Sequence, residues 1–198
     1  MRVTDIFGNL VYEGPLQYTP RPTKFKSKAM QRKAAMFSSA SQNWETPLWL
    51  YEHIKQMRGI ANYDTDPATN ENNPLGCEHY YTKEDNGLER DWRGTCFINP
   101  PFGRALYQGK QVYLTGLWIE EAWLRTQTDK NPDVSLVTML IPARTDTIAF
   151  HKYIYDIEKC ETRPNIRLQF LKGRLRFGDA RETAPFASCV VDFYRCRR

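Results

Sequence analysis

Val134 to Ile141 is the most strand-like run of the chain, almost unbroken in apolar residues and closed by Pro142-Ala143-Arg144-Thr145-Asp146. A strand of that kind is buried on both faces and needs a covering layer on each side. Candidate layers stand nearby. Leu117 to Gln127 predicts an amphipathic helix with Trp118, Ile119, Ala122 and Trp123 on its apolar side, and Thr147 to Ile157 reads as a second. A third runs from Pro47 to about Met57, with Thr46 as N-cap, Pro47 at the first helical position and Leu48, Leu50, Tyr51 and Ile54 at helical spacing. Shorter strands are expected at Ile60 to Asp66 and Thr95 to Ile98. Strands alternating with helices predict an α/β fold with a mostly parallel sheet. Ile166 to Leu171, Leu175 to Phe177 and Ala187 to Tyr194 read as closing strands, giving an antiparallel C-terminal edge.

A chain of 198 residues that is 41% hydrophobic suits one domain, placed at residues 41–198. Residues 1–40 form a separate extension. Arg2 to Glu13 reads as a small hairpin around Gly8-Asn9, followed by a flexible arm. From Gly14 to Asn43 there is no acidic residue, while Lys24, Lys26, Lys28, Arg32 and Lys33 accumulate. Such an arm suits phosphate neutralisation, as does the net charge of +5, though a solvated leader has the same composition. No apolar run approaches the roughly 18 residues of a membrane span, and a signal-peptide core is missing, so no membrane partner and a cytoplasmic location are expected. Five cysteines without a C-x-x-C pair predict reduced thiols. Cys77 and His79 lack a second pair of matching spacing, and no metal is expected.

Asn99-Pro100-Pro101-Phe102 follows a strand directly. The prolines fix the backbone, so the Asn99 side-chain oxygen and the Pro100 carbonyl form a set pair of acceptors able to hold both hydrogens of a planar amino group. Phe102 offers a ring face to the heterocycle carrying it. The structural alternative is a tight loop with Phe102 packed inward. Asp66 ends a strand, which is a ligand-site position in open α/β sheets, or it caps the following turn. Arg144 and Asp146 either pair with one another or face the rim of a site. Lys172, Arg174 and Arg176 alternate with Leu171, Leu175 and Phe177, so one strand face is basic, for phosphate or for solvent. Trp118 and Trp123 are expected in the core.

Three landmarks thus occur in order: Trp44-Glu45-Thr46-Pro47, Asp66-Pro67-Ala68 and Asn99-Pro100-Pro101-Phe102. With Thr82 to Trp92, Pro142 to Asp146, Phe170 to Leu175 and Ala184-Pro185-Phe186, this order resembles the phage-type, Dam-like DNA adenine-N6 methyltransferases, over about Ser41 to Phe193. The resemblance implies a Rossmann-like sheet, S-adenosylmethionine as methyl donor, and double-stranded DNA with a flipped adenine as substrate. It also implies a phage or prophage gene acting in a bacterial cytoplasm for DNA modification. By the same resemblance Asn99, Pro100, Pro101 and Phe102 are catalytic. Thr46, Pro47, Asp66, Pro67, Ala68, Asp85, Asn86 and Leu88 hold the cofactor, Asp85 to Leu88 flanking its adenine. DNA contacts fall to Arg104, Arg144, Lys172, Arg174, Arg176 and the arm lysines and arginine.

Two departures stand out. The Gly-rich turn usual after Asp-Pro-Ala is Thr69-Asn70-Glu71-Asn72 here, and Asn86 stands where Asp is frequent. A clamp recognises an amine rather than a polymer, so RNA or a protein glutamine is an alternative substrate. The missing glycines also allow a non-catalytic nucleic-acid-binding relative. Only Gly103 to Gly116, a polar insertion, and the arm are available for target recognition, which predicts a short or relaxed target sequence.

Overall fold

The computed structural model describes residues 2–4, 10–13, 44–107, 110–127, 131, 133–178 and 180–196. Arg2–Thr4 (β1) and Leu10–Glu13 (β2) pair antiparallel, with Arg2 opposite Glu13, as expected for the hairpin. Its turn and the basic arm, with Lys24, Lys26, Lys28, Arg32 and Lys33, lie outside the described residues.

Downstream, helix α1 (Leu48–Arg58) precedes β3 (Thr65–Asp66) and β4 (His79–Tyr80). Then come β5 (Gly94–Ile98), a hairpin of β6 (Arg104–Tyr107) and β7 (Lys110–Tyr113), and helix α2 (Leu114–Gln127). Strand β8 (Val134–Pro142), helix α3 (Ile148–Tyr153), the short pair β9 (Tyr155–Asp156) and β10 (Glu161–Thr162), β11 (Ile166–Phe170) and β12 (Ser188–Tyr194) complete it.

Six strands form the main sheet in the order β4-β3-β5-β8-β12-β11. The first four are parallel, and β12 runs antiparallel to both β8 and β11. The period-2 pleat sorts β8 into two cores. Leu136 and Leu140 face α1, joining Leu50, Tyr51, Ile54, Phe97 and Val190. Val137, Met139 and Ile141 face the other way, joining Trp118, Ile119, Phe150, Ile98 and Val191. Trp118 belongs to the core as expected, stacked on Trp92 at 6.0 Å. Half-buried Trp123 packs against the same cluster.

The sheet direction gives the site its place. From β3 the chain proceeds to β4 on one side, and from β5 to β8 on the other, so the carboxyl ends of β3 and β5 flank a topological switch point, where open α/β sheets bind ligands. Asp66 ends β3 and Asn99 follows β5.

Several local expectations are corrected. Thr46 is not the cap of α1: Pro47 is, with extended backbone, and its carbonyl accepts from Leu50 N at 3.0 Å and Tyr51 N at 3.1 Å. Leu175 to Phe177 keeps the alternation, with Leu175 and Phe177 buried and Arg174 and Arg176 exposed, yet forms no strand because it lies on no ladder partner. Ile60 to Asp66 shortens to the two residues of β3. The third helix ends at Tyr153 rather than Ile157, because the chain turns into the β9–β10 pair. The insertion from Gly103 carries the antiparallel pair β6–β7, and the helix after it begins at Leu114 rather than Leu117.

Candidate active site

Asn99 is held from one side only. Its Nδ2 donates to the carbonyl of Trp44, which orients the amide, since a carbonyl accepts only from the nitrogen. Asn99 Oδ1 is buried, and among the described residues it has no hydrogen-bond partner. An unmet buried acceptor costs about 1–3 kcal/mol, so the fold tolerates a defect at this atom. Pro100 is buried beside it and Pro101 is half-buried, its carbonyl accepting from Thr115 Oγ1 at 3.3 Å. The loop is rigid and tied at both ends.

Phe102 lies in a cage of rings. It meets Phe186 at 5.5 Å and Phe177 at 6.1 Å, both edge-on, and Trp44 at 6.4 Å, while Trp44 also meets Phe177 and Phe186. Such geometry favours ring edges against ring faces and fixes each side chain. Phe102 is 8% exposed, so the loop residue packs inward as its structural alternative held. Phe177 and Phe186 were not named as site residues from the sequence, because only the loop after β11 brings them in from far along the chain.

The segments 44–47, 66–70 and 99–102 converge. Besides the Trp44–Asn99 bond, Asn70 Nδ2 donates to Glu45 Oε1 at 3.0 Å, and Gly178 N donates to the Glu45 carbonyl at 3.0 Å. Glu45 therefore links the turn after β3 to the loop that carries Phe177. Thr46 is half-buried and Pro47 buried in the same segment.

Asp66 is 4% exposed, and its Oδ1 accepts from Ala68 N at 3.1 Å. Burial pushes its carboxyl up to about 7, against the lowering effect of the Ala68 and Thr69 bonds. A buried acid of this kind gains from a cationic neighbour. Pro67 is buried and Ala68 half-buried on the same turn. Another loop packs directly on this turn: a Cβ on Gly87 would stand 1.9 Å from the Pro67 carbonyl oxygen, backbone on backbone. Trp92 Nε1 donates to the Gly87 carbonyl at 2.8 Å and seats that loop.

The other residues of the 85–88 loop have local duties. Asp85 Oδ2 accepts from Thr82 N at 2.9 Å and Thr82 Oγ1 at 2.8 Å, bonds that hold its carboxyl below the usual range. Asn86 adopts left-handed backbone at φ 55°, a conformation Asn tolerates better than most non-glycine residues, and precedes a 3₁₀ turn. Leu88 is half-buried against the core.

Among the described residues, no ion pair joins Arg144 to Asp146. The Arg144 guanidinium lies 5.9 Å over the ring of Tyr113 instead, at the root of the β6–β7 hairpin. Arg104, Lys172, Arg174 and Arg176 are exposed. No helix among the described residues is long and apolar enough to cross a membrane.

A family model described as DNA N-6-adenine-methyltransferase (Dam) matches residues 33–193. No curated protein and no solved structure matches the chain.

Proposed function

The chain belongs to the DNA N-6-adenine-methyltransferase (Dam) family, and from that premise we propose that it methylates N6 of an adenine flipped out of double-stranded DNA, with S-adenosylmethionine as donor. The observation that carries this reading is the buried Asn99 Oδ1, oriented by Trp44 and without a hydrogen-bond partner among the described residues. The strand order and the switch point between β3 and β5 support a Rossmann-like methyltransferase sheet. A phage or prophage setting and a role in DNA modification follow from the resemblance.

Adenine N6 is conjugated with its ring and is a poor nucleophile. In the proposed complex Asn99 Oδ1 accepts one N6 hydrogen and the Pro100 carbonyl the other, which takes the nitrogen lone pair out of conjugation with the ring and aims it. Phe102, packed inward against Phe177 and Phe186, braces the loop that presents the two acceptors and backs the pocket of the extruded base rather than offering it an open ring face. When bound, S-adenosylmethionine would supply a methyl carbon whose bond to the cationic sulfur breaks as the bond to N6 forms, leaving a neutral thioether, and N6 would then shed one proton to solvent. No general base is needed.

The residues at the switch point fit such a donor. Asp66 is a buried acid that a cationic ligand would stabilise, Gly87 lets two loops meet at backbone distance, and Thr46, Pro47, Pro67 and Ala68 wall the same end of the sheet. Asp85, Asn86 and Leu88 stand on the adjoining loop, toward the donor's adenine.

Asp66 makes the donor pocket pH-dependent. Its folded value of about 7 lies above the ordinary 3.8. Between these values the unfolded chain has lost the proton that the folded protein keeps, so stability of the unliganded protein falls as pH rises from 4 to 7. Affinity for a cation runs the other way. Calorimetric titration with S-adenosylmethionine is expected to show binding that strengthens several-fold from about pH 6 to pH 8, and Asp66→Asn is expected to flatten that profile. A flat profile in the parent would remove Asp66 from the pocket.

Nucleoside mass spectrometry of duplex DNA incubated with protein and S-adenosylmethionine tests the whole reading. N6-methyladenine is the expected product. Methylated RNA or glutamine without methylated DNA would overturn it.

A further inference from the structure

We propose that the β6–β7 hairpin reads the bases beside the target adenine, with Arg104, Leu106 and Gln111 entering a groove of the duplex. The inference rests on the reading of duplex DNA as substrate and adds the element that selects the sequence.

Position comes first. Gly103, at φ 99°, turns the chain immediately after Phe102, and β6 starts at the next residue. Leu114 N donates to the Gly103 carbonyl at 3.0 Å, so the ribbon leaves and re-enters the fold at one point beside the Asn99 loop. A base that reaches this loop leaves its duplex close by. Whatever is rooted one residue from Phe102 faces the DNA around the emptied position.

Reach and face follow from the register. Four residues per strand span about 10–13 Å at roughly 3.3 Å each, enough for a major groove about 8.5 Å deep that admits a two-stranded ribbon. Arg104 stands opposite Tyr113 and Leu106 opposite Gln111, and directly opposed residues of an antiparallel pair share a face. That face therefore carries Arg104, Leu106 and Gln111 outward, all exposed, with half-buried Tyr113 at the root under Arg144. Leu106 is 69% exposed on a ribbon whose partner residues offer it no core.

The three side chains are the chemical types that discriminate base edges. Arginine forks onto guanine O6 and N7, glutamine pairs with adenine N6 and N7, and an aliphatic group meets the thymine methyl. The exposed Lys172, Arg174 and Arg176 offer phosphate contact, which positions a duplex without reading it. Base discrimination therefore needs another element, and the hairpin is rooted where one is required.

The test is competition. The parent, Arg104→Ala and Gln111→Glu are each given a duplex pool with randomised bases around one adenine, and methylated molecules are sequenced. Each substitution is expected to lower discrimination at one flanking position by roughly ten- to a hundredfold. Gln111→Glu is further expected to move preference there from adenine toward cytosine, whose N4 amine a carboxylate accepts. A mere brace would not produce such a switch. The parental preference retained by both variants, whatever their overall rates, would overturn the inference, and if Arg104→Ala yields no product then Gln111→Glu decides alone. No methylation by the parent would remove the underlying DNA reading, a distinct failure that takes the inference with it.

Discussion

Asn99→Ala is expected to abolish N6-methyladenine formation, with a rate loss of roughly 10²–10³ or more, while the protein stays folded. Stability should barely change, and the reason lies in the parent. Asn99 now gains one hydrogen bond to the Trp44 carbonyl and carries one unmet buried acceptor. The bond contributes about 1 kcal/mol and the unmet group costs about 1–3 kcal/mol, while alanine leaves the Trp44 carbonyl without its donor at a comparable cost, so the terms offset. Thermal denaturation and the mass-spectrometric product assay together separate the roles. Asn99→Asp keeps an acceptor for the base but sets a carboxylate against the Trp44 carbonyl, and should retain part of the activity with lower stability. Parental activity in the alanine variant would refute the clamp.

The loop that carries Asn99 was legible because its information is local: an apolar run, then two prolines, then a ring. The main sheet was legible for a similar reason. The near-continuous apolar run of β8 can be satisfied only with cover on both faces, and its alternate residues do enter different cores. What stayed hidden is long-range pairing. Leu175 to Phe177 alternates like a strand, but alternation reports burial of one face and not the presence of a ladder partner. The apolar residues of the β6–β7 ribbon do not alternate with polar ones, so hydrophobic periodicity gives no sign of it, and it is held by backbone pairing. Thr46 has the chemistry of a cap, yet Pro47 in extended conformation supplies the first helical carbonyl one residue later.

The cage around Phe102 shows the same limit on a functional scale. Phe177 and Phe186 are ordinary apolar residues in the sequence, and only the loop returning from β11 to β12 sets them against Phe102 and Trp44. Gly87 is a further case. An Asn-Gly pair predicts a turn, whereas the glycine is required because Pro67 comes within backbone contact of it.

The largest stability effect is expected at a pair 134 positions apart, Arg58 and Asp192. Arg58 ends α1 and Asp192 lies in β12. Their side chains are 2% and 0% exposed, and Nη2 and Nε of Arg58 reach Asp192 Oδ2 at 2.9 and 3.0 Å. The opposite oxygen, Oδ1, accepts from Thr138 Oγ1 at 2.9 Å, and Thr138 in turn accepts from Tyr63 OH at 2.9 Å. The chain of bonds thus ties α1 to β8, β12 and the approach to β3. Such a pair adds little over a well-packed apolar replacement, because both charges are desolvated, and Arg58 Nη1 is buried without a partner among the described residues. Losing one member is a different matter, since the other charge stays buried alone. Asp192→Asn and Arg58→Met are each expected to cost about 3–5 kcal/mol in urea unfolding. The double variant Arg58→Met with Asp192→Asn, which keeps an acceptor for Thr138, should recover a large part, with a coupling of about 2 kcal/mol or more. Additive single losses below about 1 kcal/mol would mean that α1 is held by its apolar residues alone.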